Sequence, residues 1–426
     1  MIDVQKSNHA SPQYLSFDAV ADLLSISKRT LEMWIKNKKI QPAETQNNAC
    51  NTIYFEESQL MKFDQYKKMK LTTWHTEKAI VPLKHYGLVE LFAGAGGLAL
   101  GLEQAGFKSL FLNEVDKYAC ETLKKNRPEW NVVHGDIQNI AFENIQQNVD
   151  LLTGGFPCQA FSYAGHKLGF DDTRGTLFFE FARAVKTLQP KVFMAENVRG
   201  LLNHDDGRTI ATIKQVIADL GYTLVEPRVL KAIFYKVPQK RERLFLIGIR
   251  NDYANKVNFH WPAPFERMMN LRDALKAGEL YPCDVPPSSG QTYPARKKAI
   301  LDHVPPGGYW RDLPLDLQKE YMQASFYLGG GKTGMARRLS LEAPSLTLTC
   351  APAQKQTERC HPEETRPLQT REYARIQTFP DEWEFCGSTS AVYKQIGNAV
   401  PVNLASAVGR SLIRLLNDIE QLPCQA

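Results

Sequence analysis

The sequence predicts an α/β protein with a mostly parallel central sheet. Three observations predict it. From Gly87 onward, apolar runs of strand length alternate with helical stretches, the pattern of strands joined by crossover helices. A glycine-rich loop, Ala93-Gly94-Ala95-Gly96-Gly97, separates the first strand from the first helix. Acidic residues, Glu114 and Asp136, stand at the ends of the next two strands.

A unit of different texture, residues 1–70, comes first. Phe17 to Leu24 is amphipathic at helical spacing and is broken by Ser25-Ile26-Ser27. Ser27 suits the N-cap of a second short helix, Lys28 to Lys36, and together these give helix-turn-helix spacing. Lys28, Arg29, Lys36, Lys38 and Lys39 stand against Glu32 alone, a local balance of +4. Ile53-Tyr54-Phe55 predicts a wing strand, and Glu57 to Tyr66 a third helix. The unit resembles the small winged helix-turn-helix of the MerR and excisionase families, which implies DNA contact through residues such as Lys28 and Arg29. A solvated basic helix in a helical adaptor would read the same way. Residues 71–86 read as a linker.

In the core, Leu88 to Phe92 is the first strand and Leu98 to Ala105 the first helix. The intervening glycines allow a ligand close to the backbone at a helix N-terminus, which favours a carboxylate or phosphate. The second strand, Phe107 to Leu112, ends in Asn113-Glu114. Glu114 lies 20 residues after Gly94, where a carboxylate can hold both hydroxyls of a ribose. The third, Asn131 to His134, runs into Gly135-Asp136-Ile137, where Asp136 can accept from an adenine amino group. Ala99 stands where the dinucleotide pattern GxGxxG has its third glycine, so a smaller adenosine ligand fits better than a nicotinamide dinucleotide. The core is therefore Rossmann-like.

The next strand, Val149 to Leu152, leads into Gly154-Gly155-Phe156-Pro157-Cys158-Gln159-Ala160-Phe161-Ser162. The two glycines predict a sharp turn, and Pro157 fixes the approach to Cys158, which is thus placed as a nucleophile. Pro-Cys recurs at residues 282–283 and 423–424 without that context. Residues 160–175 read as a loop, with a helix starting at Thr176-Leu177. Val192 to Ala195 is a strand that ends in Glu196-Asn197. Arg241 and Arg243 alternate on a strand running into Leu244 to Ile247, so they share one face. Between residues 256 and 365 the pattern lapses into prolines and glycines. With 14 Lys and Arg against 12 Asp and Glu, that region is not a simple basic clamp. Tyr393 to Leu416 returns to the core.

Composition adds bounds. The 426 residues are 43% hydrophobic, enough for two or three domains. A net charge of +6 suits a polyanionic partner without demanding one. Eight cysteines include no CxxC pair, and Cys360-His361 has no second pair at zinc spacing, so no metal site is expected. There is no signal-like N-terminus, and no run approaches the roughly 20 apolar residues that span a bilayer. A cytoplasmic protein with no membrane partner is expected, its Cys158 a free thiol.

Taken in order, these segments resemble the DNA (cytosine-5)-methyltransferase family. Phe92 to Gly97 is similar to its first motif, Gly155-Phe156-Pro157-Cys158-Gln159 to its fourth, and Glu196-Asn197-Val198 to its sixth. Gln239-Lys240-Arg241-Glu242-Arg243 looks like the eighth. Arg366-Pro367-Leu368 with Arg371-Glu372 and Gln377-Thr378-Phe379-Pro380 looks like the ninth, and Gln395 to Val400 like the tenth. The resemblance implies S-adenosylmethionine as cofactor, held by Phe92, Gly94, Gly96, Gly97, Leu98, Glu114, Asp136, Ile137, Phe156, Leu177, Asn398 and Ala399. The family often has serine at the position of Ala399. It implies Cys158 as the thiolate that adds to cytosine C6, Glu196 as the acid serving ring N3, and Arg241 and Arg243 beside the flipped base. Asn197 orients the site rather than reacting. A catalytic core over 87–255, a target recognition domain over 256–365 and a C-terminal return over 366–426 follow. Ser345 to Thr349 resembles the Thr-Leu element that ends such recognition domains. Arg337, Arg338 and Lys355 are candidates for guanine or phosphate contact. The implied partner is double-stranded DNA, in a restriction-modification system whose cognate endonuclease shares the site. Two alternatives stay open: a tRNA cytosine-5 methyltransferase of the same fold, and a transcriptional regulator acting through the N-terminal unit.

Overall fold

The computed structural model describes residues 14–43, 53–157 and 177–423. Cys158, the segment 159–175 and Thr176 lie outside them. The chain forms two compact units, Met1–Trp74 with Ala263–Arg267, and His75–Pro262 with Met268–Ala426.

In the smaller unit, strand β1 (Tyr14–Ser16) pairs antiparallel with β2 (Tyr54–Glu56). Two helices follow β1, Phe17–Leu23 and Lys28–Lys36. Ser16 and Ser27 cap them by accepting from Ala19 N and Thr30 N, at 3.3 and 3.0 Å. The single third helix expected from sequence is two pieces, a 3-10 run Glu57–Lys62 and an α-helix Asp64–Lys70. Phe63 between them is extended, and its ring stacks on Trp34 at 5.1 Å. Within residues 71–86 lies a short helix, Trp74–Lys78. Trp74 packs edge-on against Phe265 at 5.4 Å, and Thr72 donates to the Pro264 carbonyl.

The larger unit is built on one sheet. Its strands are β3 (Tyr86–Leu91), β4 (Phe107–Glu114), β5 (Val132–His134), β6 (Leu151–Gly154), β7 (Val192–Asn197), β8 (Tyr222–Leu224), β9 (Arg228–Lys231) and β11 (Glu242–Arg250). The order is β5-β4-β3-β6-β7-β11-β8, with β9 also on β11. β5 to β7 across this list are parallel; β11 is antiparallel to β7. Chain order runs outward in both directions from β3, so a switch point lies between β3 and β6, where α/β sheets open a crevice at their strand ends. A short parallel pair joins β10 (Gln239–Lys240) to β12 (Ser345–Leu346).

Every residue of β3, β6 and β7 is buried, which is why their sequences read as continuous apolar runs. The helix Val402–Glu420 packs against Gly97–Ala105 and buries Leu404, Val408, Leu412 and Leu416 among others. By length and composition the span Thr389–Glu420 could cross a membrane, but 78% of its apolar window is buried inside the protein, as in a core helix. Region 256–365 is as irregular as expected. Tyr293, Leu301, Trp310, Met322, Met335 and Cys360 share one apolar cluster there. Leu271, Leu275, Leu339, Leu341 and Leu348 instead pack with Leu368, Tyr373, Phe379 and Trp383.

Candidate active site

The ends of β3 to β7 meet around one cavity of about 1110 Å³. It is lined by Phe92, Gly94, Gly97, Leu98, Glu114, Asp136, Ile137, Phe156, Leu177, Asn398 and Ala399, all expected from sequence, and equally by Glu196, Arg241 and Arg243. Pro157 lines it too, and Cys158 is the next residue along the chain.

The cofactor side is held by local hydrogen bonds. Glu114 Oε2 accepts from Gly94 N at 2.7 Å, while Oε1 accepts from Val115 N and Asp116 N at 2.9 and 2.8 Å. The carboxylate thus fastens the glycine loop to the end of β4 and keeps lone pairs for a further donor. Asp136 Oδ1 caps the turn Ile137–Asn139 by accepting from Gln138 N at 3.0 Å. The Phe156 ring is buried edge-on against Phe178 at 5.3 Å. Phe92 carries a φ of 58°, a left-handed conformation that a bulky residue rarely holds and that sites tolerate. Gly96 is placed differently from its neighbours. Its Cα faces Leu123 and Trp383, its N–H donates to Ala93 O at 3.1 Å, and it does not line the cavity. At φ 87° it caps the helix Gly97–Ala105 instead.

On the opposite side, Glu196 is the penultimate residue of β7 and is 8% exposed. Its Oε1 lies 2.6 Å from Arg243 Nε, an ion pair without an aligned hydrogen bond among the described residues. Burial pushes the Glu196 carboxyl above its usual range, against the pull of Arg243 and Arg241. Neither Gly154 nor Gly155 has positive φ, and Gly154 belongs to β6; the turn expected to carry Cys158 continues outside the described residues. At Gly155 a Cβ would lie 2.9 Å from Glu196 Oε2, so the glycine gives that carboxylate room. Asn197 Nδ2 donates to Phe156 O at 2.8 Å and so steadies the strand end that precedes Cys158. Arg241 is almost wholly buried and donates to Leu348 O at 3.3 Å and Gly397 O at 2.9 Å. It ties two main-chain segments together as well as lining the cavity.

The candidate DNA contacts fare differently. None lines the cavity. Lys28 pairs with Asp18 at 2.7 Å, and Arg29 is exposed. Arg337 donates to Gly307 O at 2.8 Å, and the Lys355 ammonium lies 5.2 Å from the Tyr321 ring centre. Arg338 is a correction: it is 5% exposed and donates to Leu301 O, His361 O and Thr365 Oγ1, so it braces the fold rather than facing a ligand.

Sequence reasoning missed several cavity residues. Glu90 sits mid-strand in β3, fully buried, with Oε2 lacking a partner among the described residues. Its signal was an acid inside an apolar run. Lys394 reaches Asp116 Oδ2 at 3.0 Å across the cavity rim, and Cys350 Sγ contacts Asn398 Oδ1 at 3.2 Å. These pairs are too distant in sequence to be read from it.

An adenosine-bearing sulfonium fits the residues present: an open glycine loop, two acids at successive strand ends, and a buried carboxyl with an unpartnered oxygen. Such a sheet, with its cavity at the switch point, is the frame of S-adenosylmethionine-dependent methyltransferases. Residues 86–414 match the model of the family described as C-5 cytosine-specific DNA methylase, and the chain belongs to that family. It is a DNA cytosine-5 methyltransferase that uses S-adenosylmethionine. It is 64% identical over 406 residues to the type II methyltransferase M.Eco47II of Escherichia coli, covering 95% of this chain and 97% of that one. The type II methyltransferase M.PspPI of Psychrobacter sp. (strain TA137) is 61% identical, covering 95% and 97%. Among solved structures, an E. coli prophage protein described as a DNA modification methyltransferase aligns with TM-score 0.58 and 25% identity, covering 78% of this chain and 99% of that one.

Proposed function

We propose that the protein methylates cytosine at one short duplex DNA sequence, as the cytoplasmic modification half of a restriction-modification system. The observation that carries this is the sharing of one cavity by the cofactor loop and by Glu196, Arg243 and Pro157, the last adjoining Cys158. The target base is buried in a duplex and must be flipped into that cavity, at a cost of a few kcal/mol.

Cytosine C5 is a poor nucleophile. The Cys158 thiolate adds to C6, and Glu196 in its neutral form donates to N3, so electron density gathers at C5. Arg243 orients the Glu196 carboxyl and the base; Arg241 fixes the walls. S-adenosylmethionine supplies an electrophilic methyl group on sulfur. With it bound, C5 would take that methyl as the thioether S-adenosylhomocysteine leaves with the S–C bonding pair; a base or water would then remove the C5 proton, and the thiolate would leave C6 with its bonding pair, regenerating the ring and the enzyme. Cys158→Ser is expected to lose turnover by several orders of magnitude and still bind duplex; turnover near wild type would remove Cys158 from this role.

Residues 256–365 are the recognition segment in this reading, with Arg337 and Lys355 toward DNA. The N-terminal pair of short helices, with exposed Arg29 and its basic neighbours, is a helix-turn-helix that adds a second DNA contact and allows transcriptional control. The test is bisulfite sequencing of unmethylated genomic DNA after incubation with protein and S-adenosylmethionine. Protected cytosines confined to one short motif are expected. Absence of protection on DNA, with labelling of tRNA instead, would replace duplex DNA as substrate.

A further inference from the structure

Two buried glutamines far apart in sequence form a single hydrogen-bonded chain behind the cavity. Leu348 N donates to Gln239 Oε1 at 3.0 Å, and Gln239 Nε2 donates to Gln377 Oε1 at 2.9 Å. Gln377 Nε2 then donates to Ile396 O at 2.7 Å and to Ala399 O at 3.1 Å. Both glutamines are fully buried. Their orientation has no freedom: an N–H at Leu348 demands an oxygen at one end, and two carbonyls demand an amide nitrogen at the other. All donors point the same way, so each bond polarises the next.

The ends of this chain are the two walls of the site. Thr347, Leu348, Thr349 and Cys350 line one wall and continue from β12, which pairs with β10. Gly397, Asn398, Ala399 and Val400 line the cofactor wall, and the Val400 carbonyl would lie 2.3 Å from a Cβ on Gly97. Arg241 runs parallel, donating to Leu348 O and Gly397 O. The Gln377 carbonyl also accepts from Val402 N at 3.0 Å, at the start of the last helix.

We propose that Gln239 and Gln377 are a positioning pair that couples the two walls, so that filling the cofactor side tightens the grip on DNA, and the reverse. Neither touches a reacting atom. Ordering one wall orders the other through the amide chain, and a coupling of binding free energies is reciprocal. The inference rests on reading the Thr347–Cys350 wall as part of the DNA recognition segment.

The experiment uses full-length protein, S-adenosylhomocysteine as an unreactive probe, and a duplex carrying the methylated motif. Duplex Kd is measured with and without the probe. In wild type the probe tightens duplex binding by roughly fivefold or more. Gln239→Met and Gln377→Met each bring that ratio close to one, and the double variant does no more than the worse single one, as for links in series. Tyr222→Phe loses a comparable buried bond, to Pro190 O at 2.7 Å and away from the cavity, and lowers Tm while keeping the ratio. Gln377→Glu keeps the fold should the methionine variants fail to fold. Its neutral carboxyl accepts from Gln239 and donates to Ile396, so coupling returns as pH falls and is lost as the carboxyl ionises. A wild-type ratio of one in an enzyme that methylates DNA, or folded variants that keep the ratio, would overturn the inference. Absence of DNA methylation by wild type would instead strike the functional reading.

Discussion

Glu90 and Glu196 are two buried carboxyls in one cavity with different neighbours. Burial raises the Glu196 carboxyl, and Arg243 and Arg241 oppose it. In the proposed mechanism its neutral form is the N3 donor, so the rate is expected to fall as pH rises through the raised value. Glu196→Gln is expected to lower kcat by about 10²-fold or more and to flatten that alkaline limb in a pH profile of kcat/KM. Among the described residues, no arginine is among the charges that act on Glu90. Burial and the charge of Glu114 push its carboxyl well above the usual range, and the Ala99 N–H pulls it only partly back. The sign for stability follows: unfolded chain ionises near 4.5, so Glu90 contributes fully below that pH and its contribution declines as pH rises through the folded value. Glu90→Gln removes the decline. Its Tm should match wild type in acid and exceed it increasingly toward alkaline pH in a calorimetric series; parallel curves would mean that Glu90 is not held neutral.

Among elements, one close approach is between the end of the helix Thr389–Asn398 and the segment after β12. A Cβ on Gly397 would lie 2.5 Å from Thr349 O and 2.7 Å from its carbonyl carbon. Backbone cannot yield as a side-chain tip can, so Gly397→Ala should cost about 1–3 kcal/mol in denaturant unfolding and weaken cofactor binding by calorimetry. The parts legible in sequence were local ones. The glycine loop, Glu114, Asp136 and Glu196 each follow a strand within a few residues, and strand ends on one edge of a parallel sheet converge. The glutamine chain was not legible, because Gln239 and Gln377 are 138 residues apart and polar. Arg338 misled for a related reason: burial by Leu301, His361 and Thr365 is a property of packing, and a doubled arginine in a loop reads as surface.

At the scale of the molecule, the irregular region from 256 to 365 divides by what it packs on. The cluster from Tyr293 to Met335, with Cys360, is apolar on its own account, whereas Leu271, Leu275, Leu339, Leu341 and Leu348 pack with the C-terminal part. Exchanging residues 293–336 for a relative's segment should therefore change the sequence methylated and leave the protein folded, read by bisulfite sequencing and Tm. Exchanging all of 256–365 should also change the site but lower Tm, because it replaces part of a shared core. An unchanged methylation site in either chimera would refute this region as the reader. The sheet has a consequence for the chemistry. Phe245 of β11 pairs with Glu196 of β7, so Arg243 reaches that carboxyl by strand register, and a slip of one residue would turn it to the far face. The acid and its cation are thus assembled when the chain folds, not when substrate arrives, and their alignment inherits the stiffness of a paired sheet.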